Sequence, residues 1–260
     1  MSALGGQSEL FLANLTPREI RDGGYDTAIL AVGATEFHGD HLPYGTDTLA
    51  AEALAVRFAR ELGTAVVLPP LAYGMSLHLL AWPWTMSLRP QTLTDVVVDI
   101  AESLLAHEIT RLLVVSAHDG NPAPIEAAAR ELNDRHGMTV ALFAGWQSLA
   151  RRLLAGTYDV DLDHGGQSEM SMVLYLAPEL ARPERATDLP NQRMDHPVRV
   201  FGPFDRVVPH GFSGPASRGT AAEGAAILDA IAAHVGPFLR DLAANGWKNG
   251  AWMSGIEREE

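Results

Sequence analysis

Glu36, His38, His41 and Asp47 fall within one short run, Gly33-Ala34-Thr35-Glu36-Phe37-His38-Gly39-Asp40-His41-Leu42-Pro43-Tyr44-Gly45-Thr46-Asp47-Thr48. Glu36 and His38 are two apart, so on extended backbone their side chains share a face. A carboxylate, an imidazole and a second carboxylate from Asp47 are the donors that a borderline divalent ion such as zinc, manganese or cobalt accepts. Gly33, Gly39 and Gly45 let the backbone turn tightly enough to bring them together. The chemistry this run could support is metal binding, with His41 as a further polar group at the site.

Two more stretches carry comparable groups. Ser116-Ala117-His118-Asp119-Gly120-Asn121 delivers a histidine at the end of an apolar run, and Asp119 or Asn121 could touch a substrate. Asp163-His164-Gly165-Gly166-Gln167-Ser168-Glu169 places His164 in a glycine-flanked loop, free to act as a general acid/base. Glu169 stands in the first turn of the following helix, where a negative charge suits the helix dipole or could ligate a metal. Between these stretches, Tyr73, Trp82 and Trp84 lie in an irregular segment that suits a pocket wall or a subunit contact, and His78 could face the same pocket. The candidate substrate contacts are His41, Tyr73, Trp84, Asp119, Asn121 and Asp163.

Regular elements must position these groups. Thr27 to Val32 is an unbroken apolar run of strand length, as in a strand buried on both faces of a parallel sheet. A helix follows over 46–62, with Thr46 or Asp47 as its N-cap, then a strand over 65–68 and a helix over 91–107. Arg111 to Val115 is a third buried strand, followed by a helix over 125–135 and a strand over 138–144. Further helices are expected over 147–154, 168–176 and 221–242, with a long excursion over 182–217. This alternation predicts an α/β fold with a mostly parallel central sheet. Parallel strands end on one edge, so His118 and the Glu36/His38 loop should face a common cleft. No G-x-G-x-x-G follows the first strand, which argues against a nucleotide cofactor.

Bulk properties narrow the function classes. The chain has 260 residues, 47% hydrophobic, and a single domain over 1–260 is expected. Its 32 acidic against 19 basic residues give a formal charge of -13, which argues against nucleic acid or an anionic membrane as partner. There is no cysteine, so any metal must be held by His, Asp and Glu. Met1 to Leu15 has no signal-peptide pattern and no apolar stretch looks long enough to cross a bilayer, so a soluble cytoplasmic protein is the expectation.

Taken in order, the motifs resemble the creatininase family. The match runs through Gly33-Ala34-x-Glu36-x-His38-Gly39-x-His41-Leu42-Pro43-x-x-Thr46-Asp47, then His118-x-Gly120-Asn121, then His164-Gly165-Gly166 with Glu169-x-Ser171. A looser match is Gly211-Phe212-Ser213-Gly214-Pro215-Ala216 leading into Thr220-Ala221-x-Glu223-Gly224. The resemblance implies a three-layer α/β/α sandwich, two divalent metal ions (zinc, manganese or iron) and hydrolysis of a non-peptide or cyclic C–N bond in a small-molecule amide. Carried over, Glu36, His38, Asp47 and His118 are metal ligands with Asp47 bridging, and His164 is the catalytic histidine. Such a centre would make a bridging water nucleophilic near neutral pH, and His164 would protonate the leaving nitrogen.

There are departures. Creatininase proper has a glutamate where this chain has Gly120, and a tryptophan where it has Val160; most members read P-G-T where it has Pro83-Trp84-Thr85. The fifth ligand must then come from elsewhere, Glu169 ahead of Asp119. Alternatives within the family are a formamide deformylase or a peptidase of a modified peptide. Outside it, the alternatives are a metal-loaded binding protein without turnover and a single-metal hydrolase. The resemblance further implies a homo-oligomer, a hexamer built from dimers, with Trp82, Trp84, Trp247 and Trp252 as possible anchors.

Overall fold

The computed structural model describes residues 10–191, 204–206 and 208–248; Trp252 and parts of the excursion expected over 182–217 lie outside them. Among the described residues, four strands form one sheet: β1 (Thr27–Val32), β2 (Ala65–Val67), β3 (Arg111–Ser116) and β4 (Thr139–Phe143). Every pairing is parallel and the order is β2-β1-β3-β4. Seven α-helices accompany them: α1 (Pro17–Asp22), α2 (Thr46–Leu62), α3 (Pro90–Leu105), α4 (Pro122–His136), α5 (Trp146–Leu153), α6 (Gln167–Leu176) and α7 (Ala221–Ala244).

The unbroken apolar run of β1 has a direct cause. All six of its residues are buried, and they alternate between two cores. Ile29 and Ala31 pack with Leu54 and Phe58 of α2, Trp146 of α5, Met172 of α6 and Ile227 of α7. Ala28, Leu30 and Val32 pack with Leu93 and Val97 of α3 and Ile125 and Leu132 of α4. A sheet covered on both faces is a three-layer sandwich, and it leaves no polar face to alternate. Truncating Ile29 to Ala would cost about 2–5 kcal/mol, as large-to-small changes in packed cores do.

The chain leaves β1 for β2 on one side and returns to β3 on the other. The connections therefore diverge at the C-terminal ends of β1 and β3, the crevice where open α/β sheets bind ligands.

Two local expectations are corrected. Neither Thr46 nor Asp47 caps α2: Gly45 holds the cap position, Thr46 Oγ1 donates to Pro43 O, and Asp47 turns inward from the first turn. Burial among other ligand-type groups, described below, claims its carboxylate instead. The second correction is α7, whose 24 residues and mean hydropathy of 1.2 make it long and apolar enough to cross a bilayer. One side of α7 lies in the core, where Ile227, Leu228, Ile231 and Leu239 are buried.

Trp84 and Trp247 both hold left-handed backbone, φ 58 in each. For a bulky L-residue this costs about 1–2 kcal/mol. Trp247 is only 1% exposed and packs in the core, which offsets the strain and removes it as a surface anchor. Trp84 is 76% exposed.

Candidate metal centre

The loop leaving β1 is shaped by close approach. A Cβ on Gly33 would lie 2.4 Å from Thr48 N, so only glycine lets the first turn of α2 fold back against the end of β1. That return brings Asp47 to the loop carrying Glu36 and His38. From the neighbouring strand end comes His118, and from the first turn of α6 comes Glu169. All five side chains are buried.

They form two triples that share one carboxylate. His118 Nδ1 lies 3.1 Å from Glu36 Oε1 and 3.6 Å from Asp47 Oδ2. His38 Nε2 lies 3.5 Å from Asp47 Oδ1 and 3.6 Å from Glu169 Oε2. Each oxygen of Asp47 thus serves a different triple. Within each triple one ligand atom per residue lies within 4.8 Å of the others, a spread that suits a first-row cation about 2.0–2.2 Å from each.

The ring protons are assigned by backbone carbonyls. His38 Nδ1 sits 3.0 Å from Glu36 O, and His118 Nε2 sits 3.0 Å from Met75 O. A carbonyl only accepts, so the proton of each neutral ring lies on that side and the other nitrogen turns a lone pair into the cluster. There it meets carboxylate lone pairs. Both oxygens of Glu36, His38 Nε2 and Asp47 Oδ2 are buried without a hydrogen-bond partner. Such groups are costly to bury unless a cation lies among them. The donor set and its unpaired atoms fit divalent metal.

In the metal-free chain, protons take the cations' place. Burial alone would lower His38, but Asp47 and Glu169 raise it to about 10. His118 is likewise raised to about 10, against burial, by Glu36. Burial would raise Glu36, yet the imidazoles of His118, His164 and His38 hold it well below the usual carboxylate range. Burial and then Glu36 push Asp47 up. Burial lifts Glu169 to about 8, with His38 opposing.

His164 approaches from the opposite side, its ring centroid 4.4 Å from that of His38. Its Nε2 donates to Phe37 O at 2.8 Å, and Nδ1 lies 3.7 Å from Glu36 Oε1. Its side chain is 24% exposed, against at most 7% for the five ligand candidates. Burial, then His38, lower this imidazole to about 3. Glu36, His38 and His164 also form a third possible triple.

The remaining sequence candidates sit differently. Asp119 is exposed, whereas Glu169 is within the cluster. Asn121 is fully buried, and its amide donates to Gly33 O and accepts from Met75 N. His41 turns its Nε2 to Gly165 O at 2.5 Å. Asp163 accepts from Gln167 N and Ser168 Oγ at the start of α6, and burial raises it to about 7. Tyr73 and Trp84 are exposed. Gly120 could not carry the family's glutamate without rearrangement, because a Cβ there would lie 2.1 Å from Met75 O and 2.5 Å from His118 Nε2.

Several supporting groups carried no sequence signal. Ser76 Oγ lies 3.3 Å from His118 Nε2, and the ring of His78 stacks on that of His118 at 5.8 Å. Gln147 Nε2 donates to Asp163 O and Ser168 Oγ. Only His78 had been connected with the pocket, through its place in the tryptophan segment.

Known proteins share this sequence pattern and this fold. A creatinine amidohydrolase of Pseudomonas putida is 31% identical over 216 residues, 75% of this chain and 80% of that protein. A mycofactocin precursor peptide peptidase of Mycolicibacterium smegmatis is 32% identical over 156 residues, 58% of each. Among solved structures, a manganese form of creatininase superposes with a TM-score of 0.75 at 29% identity, covering 89% of this chain and 97% of that one. The family model described as creatininase, creatinine amidohydrolase, matches residues 13–239. That span takes in both strand-end loops and the histidine-bearing turn before α6, and the chain belongs to the creatininase family.

Proposed function

We propose that this chain is a metal-dependent amidohydrolase cleaving a C–N bond in an amide other than creatinine. The observation that carries the reading is the pair of buried triples sharing Asp47, with their unpaired lone pairs. Glu36, Asp47 and His118 would hold one cation, and His38, Asp47 and Glu169 the other. Two divalent ions there, zinc, manganese or iron, would polarise the amide carbonyl and make a water acidic enough to attack it.

The chain's own residues do the rest. Phe37 O fixes the His164 proton on Nε2, so Nδ1 is a neutral base turned toward Glu36. In this scheme Nδ1 would carry a proton from the attacking water to the leaving nitrogen only transiently, its low proton affinity favouring the second transfer, so the imidazole ends as it began. The ligand set is more deeply buried than His164. Val160, which stands in the place of creatininase's tryptophan, is fully buried in the core, so it offers a ring-shaped substrate no wall. That favours a substrate other than creatinine.

Metal analysis paired with kinetics tests the scheme. His164→Ala should lower kcat by about 10²–10⁴-fold at wild-type metal content, whereas Asp47→Ala should empty both positions. Metal lost with His164→Ala would make that residue a ligand. Full occupancy in Asp47→Ala would sink the shared-carboxylate arrangement.

A further inference from the structure

Of the two tryptophans in left-handed backbone, only Trp84 leaves its strain uncompensated by burial. Strain that no packing offsets points toward a use for the residue. Trp84 also sits in a fixed place. Phe37 N donates to Thr85 Oγ1 at 3.1 Å, Met86 N to Thr35 O at 2.9 Å, and Tyr44 OH to Pro83 O at 2.9 Å. Phe37 stacks on Trp82 at 6.5 Å. The residues on either side of Trp84 are thus bound to the loop that carries Glu36 and His38. The carbonyl of Phe37 in turn holds His164, which is more exposed than the five ligand candidates.

This rim has a distinct chemistry. From 71 to 88 there is no Asp, Glu, Lys or Arg, in a chain of formal charge -13. Leu77, Leu80 and Met86 are exposed in the same segment. An uncharged, apolar rim beside a buried charged centre suits an uncharged, apolar part of a ligand.

We propose that Trp84 is a specificity residue, its indole packing a flat apolar group that the substrate carries beside the scissile amide. The proposal deepens the amidohydrolase reading and rests on it. Its occupant is a substrate, not a second copy of the chain, because the flanking backbone is tied to the ligand loop.

The test uses matched amides: 2-pyrrolidinone with its 5-phenyl derivative, and acetamide with N-benzylacetamide. Binding to the metal-loaded protein is measured by calorimetry and saturation-transfer NMR, alongside turnover and light scattering. Wild type should favour the phenyl member of a pair by about fivefold to tenfold. Trp84→Gly should bring that ratio close to one without lowering Tm, since glycine accepts a positive φ. Trp84→Phe should keep most of it. No phenyl preference in wild type, or one that survives Trp84→Gly, overturns the proposal. So does an assembly that dissociates in Trp84→Gly, which would give the indole to a subunit contact. A Trp84-dependent preference with no turnover of any amide would instead overturn the hydrolase reading and leave the specificity role standing.

Discussion

Loading the centre with metal should expel protons from the imidazoles and carboxyls that hold it. In the metal-free chain His38 and His118 titrate at about 10 and Glu169 at about 8. Near pH 6.5 all three are protonated, and each must lose its proton to offer a lone pair to a cation. Filling both positions should then release these three protons, together with any held by Asp47, which burial and Glu36 push up. Near pH 9, where Glu169 has already ionised, the release should fall by about one. Calorimetric titration of the apoprotein with zinc or manganese, in buffers of different ionisation enthalpy, reads this number directly. Glu169→Gln removes one of the three protons and one ligand of the His38 triple. It should lower the release by about one and leave a single tight position. A release below about one proton, or one that does not change with pH, would refute the assignment of both imidazoles as ligands.

Three further outcomes are expected. His38, His118 and Glu169 all bind protons more tightly folded than unfolded, their ordinary values being 6.5, 6.5 and 4.5. The metal-free protein should therefore lose stability as pH rises from about 6.5 toward 10; thermal melts in chelator check this, and a Tm that rises over that window contradicts it. Gly120→Ala drives a methyl into Met75 O and His118 Nε2 and should cost about 1–3 kcal/mol, read by denaturant unfolding, with weaker metal binding because His118 loses its anchor. His41→Ala leaves the Gly165 carbonyl without its imidazole partner and should cost about 1–3 kcal/mol. It should also lower kcat more than it changes KM, because Gly165 adjoins His164; an unchanged kcat would remove His41 from the positioning of that loop.

Much of the scaffold was readable because burial pattern and turn chemistry agreed. The expected helix over 46–62 coincides with α2, and the strands expected over 27–32, 65–68, 111–115 and 138–144 match the observed ones to within a residue at each end. Short apolar runs show no period of their own, and it is their strand length and regular spacing between helices that mark them as strands. The convergence of His118 with Glu36 followed from parallel strands alone. What was not readable depends on contacts distant in sequence. The choice between Glu169 and Asp119 turns on how the 159–166 loop folds. The partner of His41 is a backbone carbonyl 124 residues away. The cap of α2 was misread because Asp47 is a good capping residue by type, and only the buried cluster claims it. Trp84's backbone conformation has no signature in a residue that ordinarily avoids it.

Asp47 and Glu169 have a shared setting: each stands in the first turn of its helix, α2 and α6. Two helices consequently aim their amino ends at one small volume, each equivalent to roughly half a positive charge. Such ends attract anions whether or not an anion is the starting material. If the proposed reaction takes place there, a carboxylate would form where before there was only a neutral carbonyl. The acid product should then inhibit turnover when added, at concentrations where the amide alone does not saturate the site.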